Sequence, residues 1–191
     1  MVQDGIPEGT ADPASSQTGE LVRLDDGSEI LIRPIQPSDK APLLAGFEEL
    51  SSRSRYRRFL SPMTRLEPRW LDYLTAVDHQ GHEALIATSA GAPAGVARYI
   101  RLPEDRFAAE VAITIVDSWQ GRGVGSTLLA RLAMRAREEG IATFRATCLA
   151  ENRAIVQLLR ELGPTTEKMT GQGVEEVTVD LWTDTAEDDS R

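Results

Sequence analysis

Three glycines in five positions, Gly121, Gly123 and Gly125, stand at the head of a helical run, in the stretch 117–140, DSWQGRGVGSTLLARLAMRAREEG. A strand that stops at Asp117 and turns into a helix near Ser126 leaves the first helical amides unpaired, with the positive end of the helix dipole behind them. Without Cβ atoms the loop can take unusual dihedrals, and a phosphate can approach the amides closely. Arg122 would add a charge-assisted contact. The chemistry this predicts is the binding of a phosphate or diphosphate. Two common phosphate loops fit poorly. A P-loop places lysine directly after its last glycine, whereas Gly125 is followed by Ser126 and Thr127. A dinucleotide fingerprint needs Gly-x-Gly-x-x-Gly and an acid about 20 residues on. Here the spacing is Gly-x-Gly-x-Gly, and position 145 is arginine.

Other reactive side chains offer less. Cys148 lies in an apolar strand without an activating base and reads as a core thiol. His79 and His82 lack a third ligand at metal spacing, so they are read as a turn near an acceptor cleft, and no metal is expected. Between Trp119 and Arg160 seven arginines (122, 131, 135, 137, 145, 153 and 160) oppose only Glu138, Glu139 and Glu151. An anionic ligand would suit that stretch. Residues 53–69 hold Arg53, Arg55, Arg57, Arg58, Arg65 and Arg69 against Glu67 alone, which suits an acidic acceptor or surface, although a solvated face or packing with acidic tails is the commoner origin. The formal net charge of the chain is −9, which argues against a general nucleic-acid binder.

These residues need a scaffold. The 191 residues suit one domain with tails. A lone cysteine precludes an internal disulfide and suits a reducing compartment, so a cytoplasmic location is expected. No apolar run approaches the roughly 20 residues of a membrane span, and the first 20 residues lack the pattern of a signal peptide. Residues 1–20, acidic and rich in Gly, Pro, Ser and Thr, are expected to be a disordered leader; residues 183–191 form an acidic tail, and 21–182 the single domain. Within it SEILIRPI reads as a strand, PSDKAPLLAGFEELS as a helix and EPRWLDYLTAVD as a short helix. EALIATSA, APAGVARYIRL and FAAEVAITIVD read as three strands of an antiparallel meander. After the glycines, Leu129, Leu132, Ala133 and Ala136 mark one helical face that Gly140 ends. The strand IATFRATCL, the helix NRAIVQLLRELG and the strand VEEVTVDLW follow. The fold class is α/β (α+β), a mixed sheet with helices on its faces.

QGRGVG, residues 120–125, resembles the Gln/Arg-x-x-Gly-x-Gly/Ala motif of the GCN5-related N-acetyltransferase (GNAT) superfamily. The similarity runs from about residue 29 to 182, because the inferred element order also looks like that family's, and AENRAIVQLLRELG resembles its downstream CoA-contacting segment. More narrowly, LIRPIQPSD, SSRSRYRRFLSP, DHQGHEALIA, AEVAITIVDSWQGRGVG and AENRAI resemble the catalytic domain of actinobacterial Pat-type protein lysine acetyltransferases. Some of those proteins carry a fused cyclic-nucleotide or amino-acid sensor; this chain has no room for one, so such regulation is not expected of it.

The resemblance implies a mostly antiparallel, twisted sheet flanked by helices, with acetyl-CoA as cosubstrate. It implies acetyl transfer to a primary amine, first of all a protein lysine, by direct attack. A small-molecule amine acetyltransferase and a non-catalytic acyl-CoA sensor or interaction protein are the alternatives, and the oligomeric state is left open. Such transfer requires a neutral amine, a polarised carbonyl and a proton source for the leaving thiolate. Glu110 takes the position of the general base, on a strand read as half-buried. Backbone groups of Ile113, Thr114 and Ile115 would lie beside the pantetheine, while Gln120, Gly121, Arg122, Gly123, Val124, Gly125 and Ser126 would hold the pyrophosphate. Asn152 matches a CoA-contacting asparagine and equally suits a helix N-cap. Where many relatives carry a tyrosine general acid this sequence has Leu159, and Pro164 replaces an aromatic that often follows the helix-ending glycine.

Overall fold

The computed structural model describes residues 19–182, so the tail expected over 183–191 and all but the last two positions of the expected leader lie outside the described residues. Glu20 does not belong to a leader: it opens β1 (Glu20–Arg23), which pairs antiparallel with β2 (Glu29–Pro34). A 3-10 turn, Pro37–Asp39, leads into α1 (Lys40–Glu48), then α2 (Ser52–Phe59) and α3 (Pro68–Thr75). The meander follows as β3 (His82–Ser89), β4 (Ala92–Leu102) and β5 (Asp105–Ile115). The chain continues through α4 (Val124–Glu138), β6 (Thr143–Leu149), α5 (Arg153–Arg160), β7 (Thr165–Gly171) and β8 (Val174–Asp180).

The eight strands form one sheet in the order β1-β2-β3-β4-β5-β6-β8-β7. Every neighbouring pair is antiparallel except β5 with β6, which α4 joins as a crossover. Strand alternation divides the side chains between two faces. Ile30, Ile32, Tyr99, Val111, Phe144, Val177 and Val179 point to one face and form the main core with Leu128, Leu129 and Leu132 of α4 and Val156 and Leu159 of α5. On the other face Phe47, Leu50, Leu66 and Leu74 make a smaller cluster under α1 and α3.

Three elements escape sequence patterning. β1 is four residues long, and β7 is an edge strand whose side chains are almost all exposed, so neither shows apolar alternation. α2, SRSRYRRF, buries no residue fully. It is held by polar ties instead: Ser51 caps it by accepting from the Ser54 amide at 3.2 Å, and Arg55 donates to the carbonyls of Glu48 (3.1 Å) and Thr64 (3.2 Å).

Leu128 is fully buried between α4 and the sheet, whereas Leu21 is 65% exposed on β1. Leu128→Ala is expected to lose about 3 kcal/mol through lost transfer energy and a residual cavity. Leu21→Ala is expected to stay within about 0.5 kcal/mol of the parent. Urea unfolding of both variants measures the difference.

Candidate active site

β5 and β6 pair only over Ala108–Glu110 with Thr143–Arg145. Beyond that point β5 runs on to Ile115 still bonded to β4, and β6 runs on to Leu149 still bonded to β8. The two strands therefore part like the prongs of a fork. A groove of about 750 Å³ lies in the opening and continues onto the face that carries α2 and α3. That volume falls in the range of small-molecule and cofactor sites.

Glu110 stands at the crotch of the fork. Its register partner on β4 is Ile100, and the neighbouring pair Tyr99 with Val111 belongs to the main core, so Glu110 points to the opposite face, toward α2 and α3. Its side chain is exposed in the groove, where the sequence predicts a half-buried position. Ile113, Thr114 and Ile115 line the prong beyond it, and Gln120, Gly121, Gly123, Gly125, Ser126 and Asn152 line the far end.

The glycine loop has the character of an anion cradle. Gln120 N donates to Asp117 O (3.3 Å) and Thr127 N to Gly123 O (3.1 Å); between them no backbone amide has an acceptor among the described residues. Gly121 and Gly123 have φ of 72° and 87°, left-handed values that a Cβ would strain. Gly123 is the N-cap of α4, which begins at Val124, two residues earlier than the sequence pattern suggests. The Gln120 side chain fixes the loop by donating to Ile115 O (3.1 Å), Asp117 Oδ1 (3.2 Å) and Ser54 Oγ (3.3 Å). Asp117 Oδ2 in turn accepts from the Ser51 amide at 3.2 Å, so the loop and the start of α2 are tied together.

Arg122 and Val124 direct their side chains away from the groove, which leaves their backbone amides as the groups a ligand there would meet. Arg122 turns away from the groove to pair with Asp26 (2.6 Å) and to stack on Trp119, its guanidinium 4.1 Å from the ring centroid. Val124 is wholly buried in the main core because it sits on the inward face of the first turn of α4. Gly125 is buried too, and a Cβ there would come within 3.0 Å of Leu158. Asn152 occupies the N-cap position of α5 but makes no capping hydrogen bond with its side chain. Leu159 is fully buried, and the residues of α5 that reach the groove are Ala154, Ile155, Gln157 and Leu158.

The arginine-rich stretch after the loop does not supply the groove with charge. Arg131 pairs with Glu20, Arg135 with Glu83 and Glu138, Arg145 with Glu104 and Asp105, Arg153 with Glu167 and Glu175, and Arg160 with Glu167. Arg137 donates to Leu181 O at 2.6 Å. The arginines that line the groove are Arg57 and Arg58 of α2 and Arg98 of β4. Burial lowers the Arg58 guanidinium from its ordinary value, opposed by the charge of Glu110. Burial, reinforced by Arg58, brings Arg98 down to about 10.

Cys148 is 3% exposed, and burial with the nearby Glu175 carboxylate pushes its thiol up to about 11, which leaves it inert as a nucleophile. His79 Nδ1 lies 2.7 Å from Glu83 Oε1, and His82 Nε2 lies 3.2 Å from Arg98 Nη1. No group of three metal-ligating side chains occurs among the described residues. Sequence reasoning missed Arg98, Tyr73 and Trp70 as groove residues. Only the excess of arginine in 53–69 signalled the cationic character that Arg57 and Arg58 provide.

Residues 44–163 match the Acetyltransferase (GNAT) family. Acetyltransferase Pat of Mycolicibacterium smegmatis is 35% identical over 144 residues, 74% of this chain, and the chain spans only 43% of that relative's length. An acetyltransferase of Pseudomonas aeruginosa is 33% identical over 144 residues, 73% of this chain and 77% of the relative. The crystal structure of the GNAT domain of S. lividans PAT superposes with a TM-score of 0.80 at 34% identity, covering 89% of this chain and 99% of that one. The chain therefore belongs to the acetyltransferase (GNAT) family, acyltransferases that draw the acetyl group from acetyl-CoA.

Proposed function

We propose that the protein transfers an acetyl group from acetyl-CoA to a lysine side chain of another protein, with Glu110 as general base. The observation that carries this reading is the position of Glu110 in an open groove continuous with a cradle of free amides. Acetyl-CoA supplies the thioester. The unpaired amides of residues 121–126 and the positive end of α4 suit its diphosphate. The edge of β5 that β6 abandons after Glu110 suits the amide-bearing pantetheine arm, which would add to it as a short strand. A backbone amide on this prong would polarise the thioester carbonyl.

Glu110 would take the proton of the incoming ammonium, directly or through a water, since an ammonium cannot attack a carbonyl. Trp70 and Tyr73, 40% and 49% exposed, stand edge to face at the acceptor end with centroids 6.1 Å apart. Such rings suit the aliphatic stem and cationic head of a lysine. The open groove supports a macromolecular acceptor over a small amine, which a closed pocket would favour.

The test is acetyl-CoA turnover by thiol release against lysine-bearing proteins and small amines, with mass spectrometry on the acceptor. Acetylation of a lysine in a folded protein is the expected result, and turnover restricted to small amines would overturn the acceptor assignment. Tight acetyl-CoA binding without turnover on any acceptor would favour an acyl-CoA sensor. Glu110→Gln should keep acetyl-CoA affinity within about twofold and lose turnover by about 10²–10⁴-fold at neutral pH, the range for a lost general base. Unchanged turnover would remove Glu110 from the mechanism. Gly123→Glu places a side chain at φ 87° and a carboxylate in the cradle, so acetyl-CoA affinity should fall at least about tenfold in a calorimetric titration.

A further inference from the structure

We propose that Arg58 and Arg98 form an anion subsite beside Glu110 that selects acceptors bearing a carboxylate close to the reacting amine. The inference rests on the acetyl-transfer reading and names the class of acceptor that the same groove would take.

Arg98 is 5% exposed and Arg58 is partly buried; both line the groove as well as the apolar pocket walled by Phe47, Leu50, Phe59 and Leu74 beneath it. Neither has a carboxylate within ion-pair distance among the described residues, whereas five of the arginines beyond the glycine loop do. Arg58 lies close enough to Arg98 for its charge to bear on that guanidinium, and Glu110 is the carboxylate that offsets Arg58. Arg57, next on α2, contributes a buried Nε with no hydrogen-bond partner. Charge at the edge of an apolar pocket is costly unless paired, so a groove that holds two such cations is complementary to an anion.

The structural duties of the pair are unequal. Arg98 fastens β4 to α3 by donating to Leu74 O at 3.2 Å and also contacts His82. Among the described residues Arg58 makes no comparable bond, and its aromatic contact is with its own neighbour Phe59, 5.1 Å from the centroid. Arg58 is therefore the residue whose guanidinium is free to take a ligand, with the remaining donors of Arg98 as second contact.

Acceptor chemistry follows from the sign of the field. A plain ammonium approaching Glu110 meets two fixed cations that offset the attraction of the carboxylate and the rings. An amine whose molecule carries a carboxylate brings its own counter-charge, and the arginines then lower the pKa of its ammonium, which favours the neutral form that attacks. In a protein acceptor this means a lysine flanked by an acidic side chain; among small molecules it means an amino carboxylate.

The experiment compares four acceptors in steady-state acetyl transfer: a lysine peptide flanked by glutamate, the same peptide with glutamine, a free amino carboxylic acid and its carboxamide. The carboxylate member of a pair should be favoured at least about tenfold in kcat/KM, mainly through KM, and the preference should shrink with added salt. Arg58→Gln should cut that ratio toward one while leaving acetyl-CoA affinity unchanged, a change of selectivity that simple loss of packing would not give. Arg58→Lys should restore part of the ratio, and Arg98→Lys serves as a second variant with melting temperature followed in parallel. A preference confined to the free amino carboxylate, and abolished by Arg58→Gln, upholds the subsite while overturning the protein-lysine assignment. Equal use of the two members in both pairs, no effect of Arg58→Gln on the ratio, or no turnover with any carboxylate-bearing amine overturns the subsite.

Discussion

The parting of β5 from β6 after three paired residues is the constraint on which the rest of the site depends. A continuous parallel pair would satisfy the backbone groups of Val111 to Ile115 and leave no groove. β6 is instead bonded to β8 along its whole length, and β5 to β4, so each prong is held by its outer neighbour while the edges between them stay open. Leu158 of α5 stands within contact reach of the Gly125 position on α4, which also faces Ile113 on β5, so this leucine packs at the loop end of the fork. Open strand edges inside a protein are a liability unless a ligand or water completes them. The same divergence puts Glu110 at the last point of pairing, where a strand side chain faces the opening.

Charge is sorted as strictly as backbone. The sequence places a run of arginines directly after the glycine loop, yet those side chains are spent on ion pairs and carbonyls that tie α4 to β1, β3 and the end of β8, β6 to β5, and α5 to β7. The exposed pairs among them contribute little stability each, whereas Arg135 neutralises the buried carboxylate of Glu83. The loop is left to attract an anion with amides and the helix dipole alone. Arg58 of α2 and Arg98 of β4, which have no carboxylate within ion-pair distance among the described residues, stand in the groove on the Glu110 side, the acceptor end of the proposed mechanism.

Much of this fold is legible in the sequence because its interior strands alternate and its long helix shows one apolar face. β3, β4, β5, β6 and β8 lie under helices on the core side, and α4 repeats Leu129, Leu132, Ala133 and Ala136 toward them. β1, β7 and α2 are illegible for one shared reason: they bury little, so hydrophobic period carries no record of them. At the site, the glycine loop announces itself through φ values only glycine takes easily. Arg122 misleads because a sequence cannot show that Asp26, 96 residues away, holds the guanidinium. Arg98 escapes notice because a single arginine in an apolar strand reads as an outward-facing residue, and only the sheet register reveals that the outward face is the groove.

Leu159 narrows the proton chemistry. Its side chain lies wholly in the core, so that position of α5 can deliver no proton to a leaving thiolate. A thiol has a reference pKa of about 8.5, which makes its anion a weak base near neutrality and a competent leaving group without a protein acid. The harder task lies on the other side of the reaction, where an ammonium of pKa about 10.4 must lose a proton before it attacks. Both polar features of the acceptor end address that task in the proposed mechanism: Glu110 accepts the proton, and the field of Arg58 and Arg98 weakens the ammonium that holds it. A groove arranged this way spends its side-chain chemistry on the nucleophile and leaves the donor to the backbone.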